Sequence, residues 1–189
     1  MVSYSASATV NPQKKGLMNH AFTTSVPHLQ TDRFILREYR RSDFELFAGH
    51  LADSESSAHL GSADRATAWR IFSSHAGLWL LDGAGWWAVE DKHTGQPVGN
   101  VGAFFRERST VMEVGWNTYR AFWGNGIAGE AAAAVLNYAF QMRHEPKVRA
   151  LITPGNESSR RVAERLGMAY EMETELNGKA IGCYMLERA

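Results

Sequence analysis

The chain has one cysteine in 189 residues, Cys183, so no intrachain disulfide can form, and no Cys/His spacing resembles a structural zinc site. It also lacks net charge: 20 Lys and Arg balance 20 Asp and Glu, which removes the bulk electrostatic pull toward nucleic acid. No run approaches the roughly 18 apolar residues of a membrane span, and the first residues, MVSYSASATVNPQKKGLMNH, contain no apolar block of signal-peptide length. These absences lead us to expect a cytoplasmic protein with no membrane and no nucleic-acid partner. His144-Glu145 begins like a metalloprotease motif, but Pro146 interrupts it and position 148 is valine, so no metal site is expected. No G-x-S-x-G occurs, which argues against a serine hydrolase.

What is present is apolar mass: 44% hydrophobic and 11% aromatic residues, including 6 Trp, enough for one well-packed domain. Residues 1–28 have no periodic apolar pattern and read as an extension, leaving a single domain over 29–189. Phe34 to Tyr39 alternates like an edge strand, Ser42 and Asp43 open a helix, and Asp64 to Leu81 carries helical spacing. Trp86 to Glu90 and Val98 to Phe105 flank a Gly/Pro turn, and Val111 to Trp116 adds a third antiparallel strand. A helix follows from Ile127 to about Met142, stopped by Pro146. Next come a strand at Lys147 to Thr153, a helix opened by Asn156 and ended by Gly167, and two strands around Asn177-Gly178. The order β-α-α-β-β-β-α-β-α-β-β predicts an α+β fold with a mixed, largely antiparallel sheet and about four helices.

Gly124-Asn125-Gly126-Ile127-Ala128-Gly129 opens the third helix as G-x-G-x-x-G. Small residues let main-chain N–H groups approach phosphate oxygens, and the helix N-terminus adds partial positive charge. A tight packing turn would produce the same pattern. Dinucleotide binding would need the glycines directly after a strand and a carboxylate at the end of the next strand. The strand before ends near Trp116, well short of the loop, and the strand after closes on Leu151-Ile152-Thr153. No Lys-Ser or Lys-Thr follows the glycines, so the loop is not that of a nucleoside triphosphatase. A pyrophosphate of another kind remains.

Three segments, LQTDRFILREYRRSDF (29–44), MEVGWNTYRAFWGNGIAGEA (112–131) and NESSRRVAERLGM (156–168), together resemble the GNAT (GCN5-related) N-acetyltransferase superfamily. The likeness is to its Rim-type branch of ribosomal-protein N-acetyltransferase-like enzymes. The resemblance implies the acyl-CoA N-acyltransferase fold and acetyl-CoA as acyl donor. The coenzyme pyrophosphate would be held by backbone amides from Gly124 to Gly129, and the pantetheine arm by the backbone of Val114, Gly115 and Trp116. Trp123 stands where the superfamily usually has Gln or Arg, which removes one side-chain donor. The resemblance also points to Glu113 as general base, directly or through water, although an alternating strand equally suggests an outward, solvated carboxylate. It places Asn156 on the coenzyme arm, where Asn is also a plain helix cap, and Ser159 near the sulfur. The frequent tyrosine acid is replaced by Ala163, so Ser159 is the candidate acid, with water or no acid as alternatives. The oxyanion would face an amide near Val114 or Gly115.

The implied function is acetyl-CoA-dependent N-acetylation of a primary amine by direct attack, by a monomer or homodimer. An α-amine with pKa near 8 is about 20% neutral near pH 7.4, against about 0.1% for lysine, which favours a protein N-terminus or a small amine of similar pKa. Cys183 offers no reason for a covalent intermediate. The competing reading is a coenzyme-A-binding regulatory or scaffold protein without turnover. Among the basic clusters, Arg160 and Arg161 lie nearest in sequence to the site and are candidates for the adenosine 3′-phosphate. Trp86 and Trp87 are expected on opposite faces of their strand, with the outward ring either lining an acceptor cleft or packing under a helix.

Overall fold

The computed structural model describes residues 25–188. The strands are β1 (Leu29–Gln30), β2 (Phe34–Arg37), β3 (Gly85–Asp91), β4 (Pro97–Phe104), β5 (Met112–Thr118), β6 (Lys147–Ile152), β7 (Ala169–Leu176) and β8 (Lys179–Glu187). The helices are α1 (Phe44–Ala52), α2 (Arg65–Asp82), α3 (Ile127–Asn137) and α4 (Glu157–Arg165). The eight strands form one sheet in the order β1-β2-β3-β4-β5-β6-β8-β7. Every pairing is antiparallel except β5 with β6, so the expected mixed, largely antiparallel α+β architecture is observed.

Alternation along the strands divides the side chains between two layers. On one face Trp87, Val101, Val114, Val148 and Met112 pack against Ile127, Ala131 and Val135 of α3. On the other, α1 and α2 join through Phe44, Phe47, Leu51, Ala68 and Phe72. Trp86 and Trp87 do take opposite faces, but both rings are buried. Trp87 stacks edge-on with Tyr138, and Trp86 lies parallel to His75 at 4.4 Å. The Trp86 indole is seated over two glycines: a Cβ at Gly102 or Gly115 would come within 2.6 or 2.8 Å of it. Without those glycines the ring could not lie on the sheet.

The second layer is anchored by a buried charge cluster. Arg37 donates to Asp43 at 2.7 and 3.0 Å and to Glu90 at 2.5 Å, joining β2, the start of α1 and β3. Burial opposes the Arg37 charge, but the two carboxylates overcome it and raise the guanidinium pKa further. Capping places the helices where expected: Asp64 accepts from the Thr67 amide at 2.7 Å, and Asn156 from that of Ser159 at 3.1 Å.

Some boundaries differ from the sequence reading. The first full strand stops at Arg37 instead of Tyr39, because the chain turns at Arg40 into a 3₁₀ segment, Arg41–Asp43, to bring Asp43 onto Arg37. The regular part of α3 ends at Asn137 and a π turn, Tyr138–Met142, completes the run, keeping Tyr138 and Ala139 buried. Most of the segment read as an extension lies outside the described residues. Within it, Val26 packs on the core and the Pro27 carbonyl accepts from Trp87 Nε1 at 2.7 Å.

Candidate active site

The site begins where two strands part. β5 and β6 pair only at Met112 with Val148 and Glu113 with Arg149. Beyond that point β5 continues through Val114, Gly115 and Trp116 without partners on the β6 side, and a cleft of about 1520 Å³ opens there. Its walls include Glu113, Val114, Gly115, Trp116, the whole of Trp123 to Glu130, Asn156 and Ser159. Three segments separated by up to 46 residues therefore converge on one cavity.

The glycine loop is open on its outer side. Gly124 and Gly126 have φ of +80° and +72°, the left-handed region that glycine enters without penalty, and Gly126 is the N-cap of α3 with no side-chain cap. A Cβ at Gly124 or Gly129 would meet nothing within 4 Å, so the packing-turn explanation does not account for these positions. The amides of Ile127, Ala128 and Gly129 fall in the first helical turn, where no intrahelical acceptor exists. Asn125 holds the turn by donating to the carbonyls of Phe122 and Trp123 at 3.1 and 3.2 Å. Trp123 is 49% exposed and donates through Nε1 to the Thr118 carbonyl at 2.8 Å.

A brace absent from the sequence reading supports the loop from β2's approach. Arg33 donates to the Asn125 carbonyl at 2.9 Å and to Glu130 at 2.7 Å, while Thr31 donates to Glu130 at 2.6 Å. Burial works against the Glu130 charge, yet these hydrogen bonds outweigh it and hold the carboxyl below its usual range.

Glu113 is not the solvated residue that alternation allowed. It is 4% exposed and is gripped by Arg106 at 2.7 and 2.6 Å, with Arg149 Nε 3.6 Å away. Two guanidinium groups thus lie beside one buried carboxyl. The pair forms because the β4–β5 register sets Phe104 opposite Glu113, so that Arg106 folds back from the connection. Charge pairing across a hairpin was the one signal that could have revealed it.

At the second arm, Asn156 serves as N-cap of α4, the plain role open to it, and also lines the cleft with Ser159. Ala163 is 0% exposed and belongs to the core, whereas Ser159 and Val162 of the same helix reach the cavity. Arg160 is engaged by Glu157 and by Glu164, the latter at 2.8 Å, so its charge is already matched. Cys183 is buried on β8, and burial, opposed by Arg149, raises its thiol pKa, which disfavours the thiolate. Tyr170 and Tyr184, unplaced by sequence, form an edge-on pair at 5.5 Å. On the α1–α2 side the cleft is walled by Phe47, His75, Trp86 and Phe104 and floored by Asn100 and Asn117, features that no local motif announces.

The acetyltransferase (GNAT) domain family matches residues 33–169, most of the chain, and the chain belongs to that family of N-acetyltransferases. It is 45% identical over 104 residues to the uncharacterized protein YkkB of Bacillus subtilis (strain 168), a match covering 54% of this chain and 60% of YkkB. An acetyltransferase from Agrobacterium tumefaciens str. C58 is 27% identical, with a TM-score of 0.80 over 87% of this chain and 96% of its own. The ribosomal-protein-S5-alanine acetyltransferase from Vibrio fischeri, at 19% identity, has a TM-score of 0.69 over 86% and 97%, a likeness of fold. The expected resemblance and fold are thereby established, acetyl-CoA is the donor the family uses, and the scaffold reading is not favoured.

Proposed function

We propose that this chain transfers the acetyl group of acetyl-CoA to a primary α-amine, that of a peptide N-terminus or a small amine of similar pKa, by direct attack. The observation that carries this is the uncapped, unobstructed turn Gly124–Gly129 opening into the gap between β5 and β6. In this reading the amides from Gly124 to Gly129 hold the pyrophosphate and Trp123 edges it. The backbone of Val114, Gly115 and Trp116, with Asn156, guides the pantetheine arm toward the point where the strands meet. From Thr118 back to Glu113 is about 17 Å of strand, a length suited to that arm. The coenzyme supplies the thioester whose carbonyl the amine attacks.

An unpaired amide near Val114 or Gly115 would receive the negative charge on the carbonyl oxygen. Glu113 takes the amine's proton, directly or through water: after attack the nitrogen is a strongly acidic ammonium, and Glu113, held by Arg106 and lining the cleft, is the carboxyl group placed to receive the proton. Ser159 relays a proton from water to the departing thiolate, its own hydroxyl being restored in the transfer. The α-amine is favoured over lysine because about a fifth of it is already neutral near pH 7.4, and the Vibrio fischeri relative of the same fold acts on an alanine of a ribosomal protein.

Calorimetry with coenzyme A and thiol release across a panel of amines, peptides and internal lysines test this. Micromolar binding with turnover of α-amines is expected. Reaction of internal lysines alone overturns the acceptor assignment, and binding without release for any acceptor overturns the activity.

A further inference from the structure

Two arginines border the same buried carboxyl group, and they border it differently. Arg106 donates from Nε to Glu113 Oε2 at 2.7 Å and from Nη2 to Oε1 at 2.6 Å, taking both oxygens in one planar fork. Arg149 Nε stops 3.6 Å from Oε2, outside hydrogen-bond range, and is buried with no partner among the described residues. The two also stand on different sides. Arg106 lines the cleft with Glu113 and its side chain is 37% exposed, whereas Arg149 is the register partner of Glu113 on β6, at the closed end where the strands still pair.

Arg106 is itself held in place. It follows the end of β4, where its carbonyl accepts from the Ser109 amide at 2.9 Å, and its guanidinium lies 5.6 Å from the centroid of the Phe104 ring. Phe104 faces Glu113 in the β4–β5 register and stacks on Trp86 at 5.2 Å, so a buried aromatic support aims the fork. A carboxyl group bound at one oxygen still turns about its Cγ–Cδ bond, and one bound at both does not.

Resting on the reading of Glu113 as proton acceptor, we propose that Arg106 is a positioning residue: its fork keeps the Glu113 carboxyl at the cleft wall against the competing pull of Arg149 toward β6. Without Arg106 the buried carboxyl is left with Arg149 beside it, and closing 3.6 Å to a hydrogen bond costs less than staying unpaired. The carboxyl then turns away from the side on which the amine arrives.

The test is thiol release from acetyl-CoA with alanyl-alanyl-alanine amide in Arg106→Gln, Arg106→Lys, Arg149→Gln and Glu113→Gln, with coenzyme A calorimetry reporting that each variant is folded. Arg106→Gln should lower kcat about tenfold with the KM for acetyl-CoA unchanged, since a misplacement of about 1 Å suffices for such a loss. Arg106→Lys, a point charge that reaches one oxygen, should keep only part of the rate. Arg149→Gln should lose less than about threefold, because the fork remains. In the Glu113→Gln background, Arg106→Gln should change kcat by less than about twofold, there being no carboxylate left to aim.

Equal losses from Arg106→Gln and Arg149→Gln would mean that charge alone matters, and a loss undiminished in the Glu113→Gln background would mean that Arg106 acts elsewhere. Either overturns the positioning role while Glu113 keeps its own. Arg106→Lys at the full rate would overturn the fork even if the glutamine variant did not fold. An unaltered kcat in Glu113→Gln would overturn the proton-acceptor reading and the positioning role together.

Discussion

Strand β5 separates two environments that differ by a single residue step. Met112 and Val114 face α3 in a wholly apolar layer, while Glu113, Gly115 and Asn117 face the cleft, one in an ion pair, one beneath an indole, one in an amide pair. The first face makes contacts that any close packing of the right volume would supply. The second makes contacts of fixed direction, a bidentate ion pair and an amide–amide hydrogen bond. The contrast teaches that the same backbone can carry stability on one side and chemistry on the other, because alternation keeps the two sets of side chains apart.

Substitutions on the two faces should therefore be read out differently. Trp87→Ala empties the most deeply buried indole of the apolar layer and should cost about 3–5 kcal/mol in urea unfolding, with coenzyme affinity of the folded fraction unchanged. Gly126→Trp fills the approach to the loop amides and should weaken coenzyme A binding more than about 100-fold by calorimetry, with about 1–2 kcal/mol lost to the left-handed backbone. Glu113→Gln should lower kcat by about 10- to 100-fold with coenzyme affinity retained. An unaltered pH profile in that variant would remove Glu113 as proton acceptor.

Ser159→Ala should have a smaller effect, up to about tenfold in kcat, since water can replace the hydroxyl. The α4 cap is untouched because Asn156 accepts the residue's backbone amide. A last contrast concerns His75, whose pKa burial lowers to about 3 from 6.5. Below pH 6.5 the unfolded chain binds a proton that the folded chain refuses, so stability falls from there down to about pH 3. The slope is at most about 1.4 kcal/mol per pH unit. His75→Phe, which keeps the ring on Trp86, should flatten thermal stability between pH 6.5 and 5, and His50, shifted the same way, should leave a residual slope.

Much of this was legible along the chain. Asp64 and Asn156 announced their helices, the Gly124–Gly129 run announced the open turn that begins α3, and Asn177-Gly178 announced the last hairpin, because caps and turns are set by neighbours within a few residues. Glu113 was legible as a cleft residue only by resemblance, and its surroundings were not legible at all. Arg149 reaches it across a parallel pairing that joins residues 36 positions apart, and nothing local encodes that register. The Arg33–Glu130 brace and the Asn100–Asn117 amide pair are likewise contacts between distant segments.

The amino-acid sequence by itself determined which residues become helix, strand and turn, and that one turn would present bare amides, since these follow from periodicity and short-range hydrogen bonding. The tertiary structure alone decided that β5 and β6 would part after one pair of contacts beyond Met112, that a carboxylate would lie between two arginines, and that Asn100 and Asn117 would pair beside the same cavity. Those outcomes depend on strand register and on helices closing over a sheet face, where residues remote in the chain compete for the same few ångströms.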